Sequence, residues 1–365
     1  MKRPKIAVVH PGIGSGQGGA QTFVLELTER LKDRCDITIL SAKKANELCK
    51  PVFCVSRGDL TKTKNPFWRL IIDFLGKFTN IPEIAIESLT SFFPIFFELL
   101  FNRYDILYPN NSTAGLLVCS LVRKIKGTPI IFTQHESQFD NTCTRDPKFK
   151  PNKYIALNKE YCASVKKQYP ELDVIYIPNG VDLKRFSPGK SNINLDLQKP
   201  IVLAVGRNTD IKRLDLAIDA ASKLSNISLL IISTGENLDE LEAKGNALIG
   251  TERFKLIRNV NQEEVQEYYK LCDVFTLPSE REPFGLVYLE ALACNKPIVA
   301  PDDVHRNELL GNSAVLCGVT NAEEYASAIE KAVSTNFGET PINRAREFSW
   351  EICADRYYEV IESLC

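Results

Sequence analysis

The sequence predicts an α/β protein with two domains, each built around a parallel β-sheet. Three observations point to this fold class. Short apolar runs alternate with segments of helical periodicity, which is the pattern of βαβ units. The alternation occurs in two series, separated by a polar stretch with Pro and Gly at residues 187–200. The length of 365 residues is enough for two domains.

The first series begins near the N-terminus. A buried strand is predicted at Ile6–Val9, followed by a glycine-rich loop and then a second strand at Ile37–Leu40. Between the strands, Phe23, Leu27 and Leu31 recur at the spacing of one helix face. Further strands are predicted at residues 105–108, 129–133, 154–157 and 174–177.

The second series follows residue 200. Strands are predicted at residues 201–207, 227–236, 255–260, 273–279 and 297–301, and helices at 214–225, at 263–272 and after residue 282. We therefore expect an N-terminal domain over residues 1–185, completed by a C-terminal helix at about 346–365, and a C-terminal domain over residues 186–345.

The charges are distributed unevenly between these halves. Residues 1–190 contain 28 Lys and Arg against 18 Asp and Glu, whereas residues 191–365 contain 17 against 28. A basic first half suits an anionic ligand or an anionic membrane surface. The alternative is a chance distribution over helix surfaces.

The cysteine pattern indicates reduced thiols. The 11 cysteines stand singly, without a C-x-x-C pair or a Cys/His cluster, and no apolar signal segment precedes the first strand. We expect a cytoplasmic protein without a metal site, with a peripheral position on the inner face of the membrane as an alternative.

Residues 66–101 depart from the alternating pattern. The first part is apolar apart from a polar stripe formed by Arg69, Asp73 and Lys77, and the second part is rich in aromatic residues. The uncharged run Ser88–Phe97 has about half the length of a bilayer-spanning helix, so no span is predicted. Two interpretations stay open, an interfacial or lipid-facing element and a pair of core helices.

The glycine-rich loop contains Gly14-x-Gly16-x-x-Gly19, the spacing of a dinucleotide fingerprint between a strand and a helix. Lys43 and Lys44 follow the second strand, where a nicotinamide enzyme would carry an acid for the ribose. An NADP enzyme is therefore left open. In either case, small residues at a helix N-terminus let backbone amides approach a phosphate.

A pair of cations opens the second series. Arg207 is predicted just past a strand end, and Lys212 stands before the next helix. Ligands of open α/β sheets lie at the carboxyl ends of the strands. There, an arginine fork and a lysine point charge would neutralise a diphosphate, unless both side chains are merely solvated.

The stretch "EREPFGLVYLE" places Glu282 and Glu290 around a Pro-Phe-Gly turn. Pro283 suits the first turn of a helix, which would leave the amides of Phe284 and Gly285 free for an anion or a hydroxyl. Glu290 would then lie two turns inside, about 12 Å along the axis. That spacing suits a nucleoside sugar, because carboxylates accept hydrogen bonds from vicinal hydroxyls.

The order of motifs along nearly the whole chain resembles the retaining, nucleotide-sugar-dependent glycosyltransferases of family 4, which have the GT-B fold. The motifs are "GGAQTFVLEL", "FTQHES", "IPNGVDLKRFSP", "VGR" with Lys212, "LPSEREPFGLVYLEALACNKPIV" and "FSWEICADRYYEV". The resemblance implies two Rossmann-like domains facing each other across a cleft. It also implies transfer of a hexose from a UDP- or GDP-sugar to a hydroxyl acceptor, without a metal or other cofactor.

The resemblance assigns roles in the first half of the chain. Gly18 and Gly19 would lie near the donor phosphates and the acceptor, and His135 would meet the donor sugar. Asn179 and Gly180 would mark the entry into the interdomain linker.

It also assigns roles in the second half. Arg207 and Lys212 would hold the diphosphate, and Glu282 the sugar hydroxyls with help from the amides after Pro283. Glu290 would hold the ribose, and the base would stack near Asn259 and Val260.

The sequence departs from the family pattern at three places. Arg213 stands where glycine usually follows the lysine, and Arg258 stands where "F-x-G" normally ends a strand. Residues 302–308 lack the usual "GG-x-P-E" and contain His305 and Glu308 instead.

The acceptor is the least defined part of this interpretation. The basic first half and the aromatic segment 66–101 favour a lipid-linked acceptor or a cell-surface glycan precursor. The alternatives are an NADP-dependent oxidoreductase that uses the Gly14–Gly19 loop and a catalytically inactive sugar-nucleotide-binding protein.

Overall fold

The computed structural model describes residues 3–14, 18–76, 82–110, 112–135, 146–261, 263–280 and 282–365. The chain forms two compact units. The first comprises Met1–Pro178 and Cys353–Cys365, and the second comprises Asn179–Ile352.

The first unit alternates strands and helices in the predicted manner. Its strands are β1 (Lys5–Val9), β2 (Asp36–Ser41), β3 (Cys49–Pro51), β4 (Ile106–Pro109), β5 (Ile131–Gln134), β6 (Lys153–Ala156) and β7 (Val174–Tyr176). Its helices are α1 (Gly19–Leu31), α2 (Arg57–Leu60), α3 (Pro66–Leu75), α4 (Pro82–Phe101), α5 (Thr113–Lys126) and α6 (Lys159–Gln168).

The strands of the first unit run parallel in the order β3-β2-β1-β4, with a second group in the order β5-β6-β7. Parallel bridges between Leu107 and Ile130 and between Asn110 and Thr133 connect β4 to β5. The strand order reverses between β1 and β4, the switch point where doubly wound sheets bind ligands. Helix α1 packs its predicted face inward, with Phe23, Leu27 and Leu31 buried.

The second unit repeats the arrangement. Its strands are β8 (Ile201–Asn208), β9 (Ser228–Gly235), β10 (Phe254–Arg258), β11 (Val274–Thr276), β12 (Ile298–Pro301) and β13 (Ala314–Cys317). Its helices are α7 (Leu214–Ser222), α8 (Leu238–Leu248), α9 (Val265–Leu271), α10 (Leu286–Ala293), α11 (Val304–Leu310), α12 (Ala322–Ser334), α13 (Thr340–Arg346) and the start of α14 (Trp350–Glu362).

The second sheet is also parallel, in the order β10-β9-β8-β11-β12-β13. Its order reverses between β8 and β11, which are directly paired. The loops after these two strands therefore form the switch point of the second unit. Strand β8 ends at Asn208 and includes Arg207, which pairs with Thr234 of β9, so Arg207 lies inside the strand and not just past its end.

The "NGVD" motif lies where the chain enters the second unit. The backbone amide of Val181 donates to Phe348, and Val181 forms a bridge with Ser349. A Cβ atom at Gly180 would lie 2.5 Å from the Cα atom of Trp350. Only glycine permits this close approach of two backbone segments.

Helices α3 and α4 correct the reading of residues 66–101. No residue of the described helix α3 is buried, so the core-helix interpretation is wrong for α3. Among the described residues, Glu83–Phe101 of α4 is long and apolar enough to cross a membrane, with a mean hydropathy of 1.7 and 28% of the segment buried. This segment is longer than the uncharged run Ser88–Phe97, on whose length the prediction of no span was based.

Candidate active site

Two of the predicted site residues are in direct contact at the switch point of the second unit. Lys212 follows β8 and Glu282 follows β11, and the ammonium group of Lys212 forms an ion pair with the carboxylate Oε2 of Glu282. The side chain of Glu282 is only 9% exposed and that of Lys212 25%. The residues expected to hold the sugar and the diphosphate thus share one charge-compensated position.

The turn between Glu282 and helix α10 depends on glycine. Gly285 is the N-cap of α10 and has φ 90° and ψ 65°, in the left-handed region. A Cβ atom here would lie 2.4 Å from the ring of Tyr288 and 3.1 Å from Cγ of Glu282. The Glu282 side chain therefore lies against the Gly285 turn at the N-terminus of α10.

The start of α10 differs from the prediction. The helix begins at Leu286, so Pro283 lies in the loop before it and not in its first turn. Within the described part of the chain, the amides of Phe284 and Gly285 form no hydrogen bond to a protein acceptor. Both residues are buried, and their amides lack a protein acceptor for a reason other than a Pro283 in the first helical turn.

Glu290 lies in the second turn of α10, where the hydroxyl of Tyr269 donates a hydrogen bond of 2.7 Å to its Oε2. Burial, with the charge of Glu290 next, raises the pKa of Tyr269 well above its ordinary value, so the phenol stays protonated as a donor. Because α10 begins at Leu286, only the last five residues of the stretch from Glu282 to Glu290 are helical, and the prediction of a 12 Å helical span from Glu282 is wrong.

Arg207 lines an open cavity of about 660 Å³ at the carboxyl end of the second sheet. The residues that line the cavity are all polar or charged: Arg207, Asn208, Thr209, Asp210, Arg213, Asp215, Glu236 and Asn237. A guanidinium group at the edge of such a cavity is suitable for binding phosphate oxygens.

The residues predicted near the base lie at the same sheet edge. Asn259 follows β10 with a positive φ of 56°, and its amide donates to the carbonyl of Ser233 on β9. Val260 is half-buried beside it. The turn after β10 thus lies at the carboxyl edge of the sheet.

The departures from the family pattern have structural counterparts. Arg213 adopts the left-handed conformation, with φ 51°, that a glycine would accept more readily. Arg258 forms ion pairs with Asp239 and Glu242 of α8. The positive φ after β10 is at Asn259 instead.

Residues 302–308 form hydrogen bonds to the segment around Glu282. Asp303 caps α11 by accepting from the amide of Arg306. The guanidinium of Arg306, 2% exposed, donates to the carbonyl of Ser279, the hydroxyl of Tyr288 and the carboxylate of Asp303. The Nε2 atom of His305 lies 3.1 Å from the carbonyl oxygen of Phe284.

Arg306 was missed by the sequence analysis. A charged residue on a short helix is normally solvated, and nothing local in "DDVHRNE" distinguishes Arg306 from such a residue. Its burial arises because α11 packs beside β12 and β13.

In the first unit, His135 stands immediately after β5, as predicted. Its Nε2 atom lies 3.1 Å from the side-chain nitrogen of Asn110, which donates, so the neutral ring carries its proton on Nδ1. Burial, and then the neighbouring His10, lowers the pKa of His135 to about 3. His135 is therefore uncharged at neutral pH.

Asn110 and His10 were also missed by the sequence analysis. The carbonyl of Asn110 accepts from Nδ1 of His10 at 3.0 Å. Asn110 directly follows β4, at the same edge as His135, so its position at a strand end was a usable signal. Thr133 of β5 lies 2.7 Å from the Tyr108 hydroxyl and 2.9 Å from the Tyr357 hydroxyl, and these contacts extend the polar network.

The described part of the glycine-rich loop ends at helix α1. Gly18 is the extended N-cap of α1, and a Cβ atom there would meet nothing within 4 Å. Gly19 is the first residue of the helix. Gly16 lies outside the described residues, whereas Gly14 has a positive φ of 80°.

Two doubly wound parallel-sheet units, each with polar groups at the carboxyl edge of its switch point, define a GT-B type of architecture. The family model described as Glycosyl transferases group 1 matches residues 188–348, and that described as Glycosyltransferase Family 4 matches residues 17–185. The chain belongs to the group 1/family 4 glycosyltransferases of the GT-B fold. It is a glycosyltransferase, and this result does not favour the oxidoreductase alternative.

Curated relatives carry the same type of activity in their names. The chain is 23% identical over 404 residues to D-inositol 3-phosphate glycosyltransferase 2 of Catenulispora acidiphila, covering 97% of this chain and 92% of the relative. It is 28% identical over 199 residues to the D-inositol 3-phosphate glycosyltransferase of Mycobacteroides abscessus, covering 50% of this chain and 44% of the relative. The chain thus spans less than half of the latter protein.

Solved structures share the fold. Sucrose-phosphate synthase from Thermosynechococcus elongatus superposes with a TM-score of 0.77 at 19% identity, covering 99% of both chains. The Anabaena protein HepE, in complex with UDP and glucose, superposes with a TM-score of 0.73 at 18% identity, covering 99% of this chain and 100% of HepE.

Proposed function

We propose that this glycosyltransferase moves a hexose from a UDP- or GDP-sugar to a hydroxyl group of its acceptor with retention of anomeric configuration. The observation that carries the proposal is the contact of Lys212 with Glu282 beside the Gly285 turn. It brings together a cation for a diphosphate, a carboxylate for sugar hydroxyls and unpaired amides.

The chemistry assigned to these residues is electrostatic. The acceptor oxygen bonds to the anomeric carbon on the face from which the nucleoside diphosphate leaves, and a departing phosphate oxygen takes the acceptor proton. Lys212 and Arg207 stabilise the negative charge that grows on the diphosphate, and no metal is assigned to this task. Glu282 binds the sugar and is not a base in this scheme. As a nucleophile in a double displacement, it would form a glycosyl ester instead.

His135 fits the sugar-contacting role because it is neutral and fixed. Asn110 donates to its Nε2 atom, so the proton of the neutral ring is on Nδ1. Glu290 would accept hydrogen bonds from the ribose hydroxyls, and Gly18 and Gly19 would place helix amides near phosphate. The base would stack beside Asn259 and Val260.

The acceptor proposed is a lipid-linked or cell-surface glycan precursor, reached from the cytoplasmic side of a membrane. The support is the excess of Lys and Arg in residues 1–190 together with the exposed aromatic side chains of α3 and α4.

A panel of nucleotide sugars tests the proposed function. UDP- or GDP-hexoses should raise the melting temperature, because a ligand that binds only the folded state stabilises it. Transfer to an acceptor should then release the nucleotide, and NMR of the product should show the anomeric configuration of the donor. A shift with donor but no turnover with any acceptor would favour the inactive binding protein. No shift with any donor would overturn the proposal.

A further inference from the structure

Helix α4 has two opposite faces of different character. Ile86, Ser91, Ile95 and Leu99 are buried on one face. The other face exposes Leu89 at 72%, Phe93 at 61%, Phe97 at 49% and Phe101 at 78%. These four residues recur every four positions, so they form a stripe about 18 Å long on the outside of the helix.

Helix α3 adds a second exposed apolar surface. Phe67, Leu70 and Phe74 are exposed by 60%, 70% and 57%, and α3 contacts α4. We call these residues, together with the stripe of α4, the α3–α4 face. Single exposed apolar residues are common in proteins, but seven on two contacting helices are not.

The α4 helix is fixed in the first unit by its inner face. Ile95 and Leu99 belong to the same core cluster as Leu107 of β4 and Phe132 of β5. On the same helix, the carboxylate of Glu98 pairs with Lys50 of β3 at 2.8 Å. A helix that closes the core of an α/β unit cannot also cross a bilayer. Its apolar outer face can therefore leave water only by contact with another surface.

The charges next to the α3–α4 face indicate the chemistry of the partner surface that would cover it. Lys62, Lys64 and Arg69 are exposed just before and within α3. The acidic Glu98 pairs with Lys50 and Glu87 is buried, whereas Asp73 of α3 is exposed one helical turn after Arg69. An apolar stripe flanked by exposed cations is the arrangement of interfacial helices that bind anionic lipid headgroups.

We propose that the α3–α4 face docks the first unit on the surface of an anionic lipid bilayer, with its aromatic side chains at the level of the headgroups and Lys62, Lys64 and Arg69 against lipid phosphates. This inference rests on the proposed function, because docking helps the enzyme only if its acceptor is linked to a lipid. A membrane-bound enzyme meets a lipid-linked acceptor by diffusion in two dimensions.

Vesicle sedimentation without donor or acceptor tests the docking by itself. The full chain should sediment with vesicles of phosphatidylcholine containing about one third phosphatidylglycerol and much less with phosphatidylcholine alone. High salt should weaken the binding, because the Debye length falls from about 10 Å at 0.1 M to about 3 Å at 1 M. Equal binding to both vesicles, or binding to neither, would overturn the proposal.

Variants separate the contributions. Phe93→Ser with Phe97→Ser should reduce vesicle affinity at least about tenfold, and Lys62→Ser with Lys64→Ser should reduce mainly its anionic-lipid dependence. Leu248→Ser is the matched control, because Leu248 is 49% exposed on α8 of the second unit and should change nothing. All replaced side chains are exposed, so circular dichroism should show unchanged folding. Loss of binding in the Leu248 control would contradict the assignment.

Two other occupants give distinct results. If a second copy of the chain covers the α3–α4 face, the protein sediments as a dimer that Phe93→Ser with Phe97→Ser dissociates, and vesicles do not bind. If α4 spans a bilayer, the protein stays with membranes in alkaline carbonate. Either result would overturn surface docking. Thermal shift by nucleotide sugars reports on the proposed function separately, and the α3–α4 variants should leave it unchanged.

Discussion

The ammonium group of Lys212 and the carboxylate of Glu282 form an ion pair, although the residues are 70 positions apart in the chain. The pairing of β8 with β11 places the loops that carry them side by side. Each charge compensates the other. In the proposed function, the diphosphate of the donor would compete with Glu282 for the lysine, and the sugar hydroxyls would compete with Lys212 for the carboxylate.

We predict that Lys212→Ala lowers transfer by about 100-fold or more, because a cation that stabilises the leaving diphosphate is lost. Release of nucleotide product over time measures the rate. Lys223→Ala is the control, since Lys223 pairs with the exposed Glu323 at 2.9 Å and should have a normal rate. A rate for Lys212→Ala within twofold of the unmodified protein would remove Lys212 from the mechanism.

The two glutamates should separate in a binding experiment. Glu290→Ala should weaken the binding of UDP or GDP, whereas Glu282→Ala should spare nucleotide binding and abolish transfer. Isothermal calorimetry with both nucleotides, together with the release assay, measures this. Tyr269→Phe removes only the 2.7 Å hydrogen bond to Glu290 and should weaken binding by about tenfold or less. Equal loss of nucleotide binding in both glutamate variants would refute the division of roles.

The first unit should lose stability in acid because of His135. Its pKa is about 3 in the folded protein, below the ordinary value of 6.5, so only the unfolded chain takes up this proton as the pH falls below 6.5. The contribution of His135 to the free energy of unfolding is constant above pH 6.5. Between pH 6.5 and pH 3 it falls by at most about 1.4 kcal/mol per pH unit.

Urea denaturation between about pH 7.5 and pH 5 tests this, with the His135→Gln variant as the comparison. The free energy of unfolding of the variant should fall less steeply as the pH is lowered. The difference in slope should correspond to the uptake of at most one proton on unfolding. Parallel pH dependences for the two proteins would show that His135 titrates normally in the fold.

Arg306 should be required for the Glu282 turn. Arg306→Met should destabilise the second unit by about 1–3 kcal/mol, since it leaves the buried Ser279 carbonyl without its donor and the partly exposed Asp303 without its partner. Thermal denaturation measures the loss. Arg346→Met is the comparison, because the exposed Arg346 donates to the side chain of Asn343, and its replacement should cost less. A melting temperature for Arg306→Met equal to that of the unmodified protein would show that the hydrogen bonds of Arg306 do not stabilise the second unit.

The sequence predicted the elements with strong periodicity and the residues at strand ends. Alternating apolar runs located both sheets, and the rule that ligands lie at carboxyl edges located Lys212 and Glu282 before their contact was known. It failed where local signals compete. Pro283 is compatible with a first helical turn, but the left-handed Gly285 starts the helix later, at Leu286.

Other features depend on parts of the chain that are far apart in sequence. Arg306 is buried because α11 packs beside β12 and β13, and Asn110 meets His135 because β4 and β5 are neighbours. The two faces of α4 differ because one covers the sheet and the other has no protein neighbour among the described residues that buries it. Pattern alone could not distinguish these faces, since both are apolar.

By itself, therefore, the sequence determined the fold class and the residue types at the strand ends, because periodicity and turn chemistry are local properties of the chain. The family followed from the resemblance of its motifs to known glycosyltransferases. Only the tertiary structure decided that Lys212 and Glu282 are partners, that His135 is neutral, and that aromatic residues of α3 and α4 are exposed. Those properties depend on desolvation and on contacts between distant segments, which exist only once the sheets have formed.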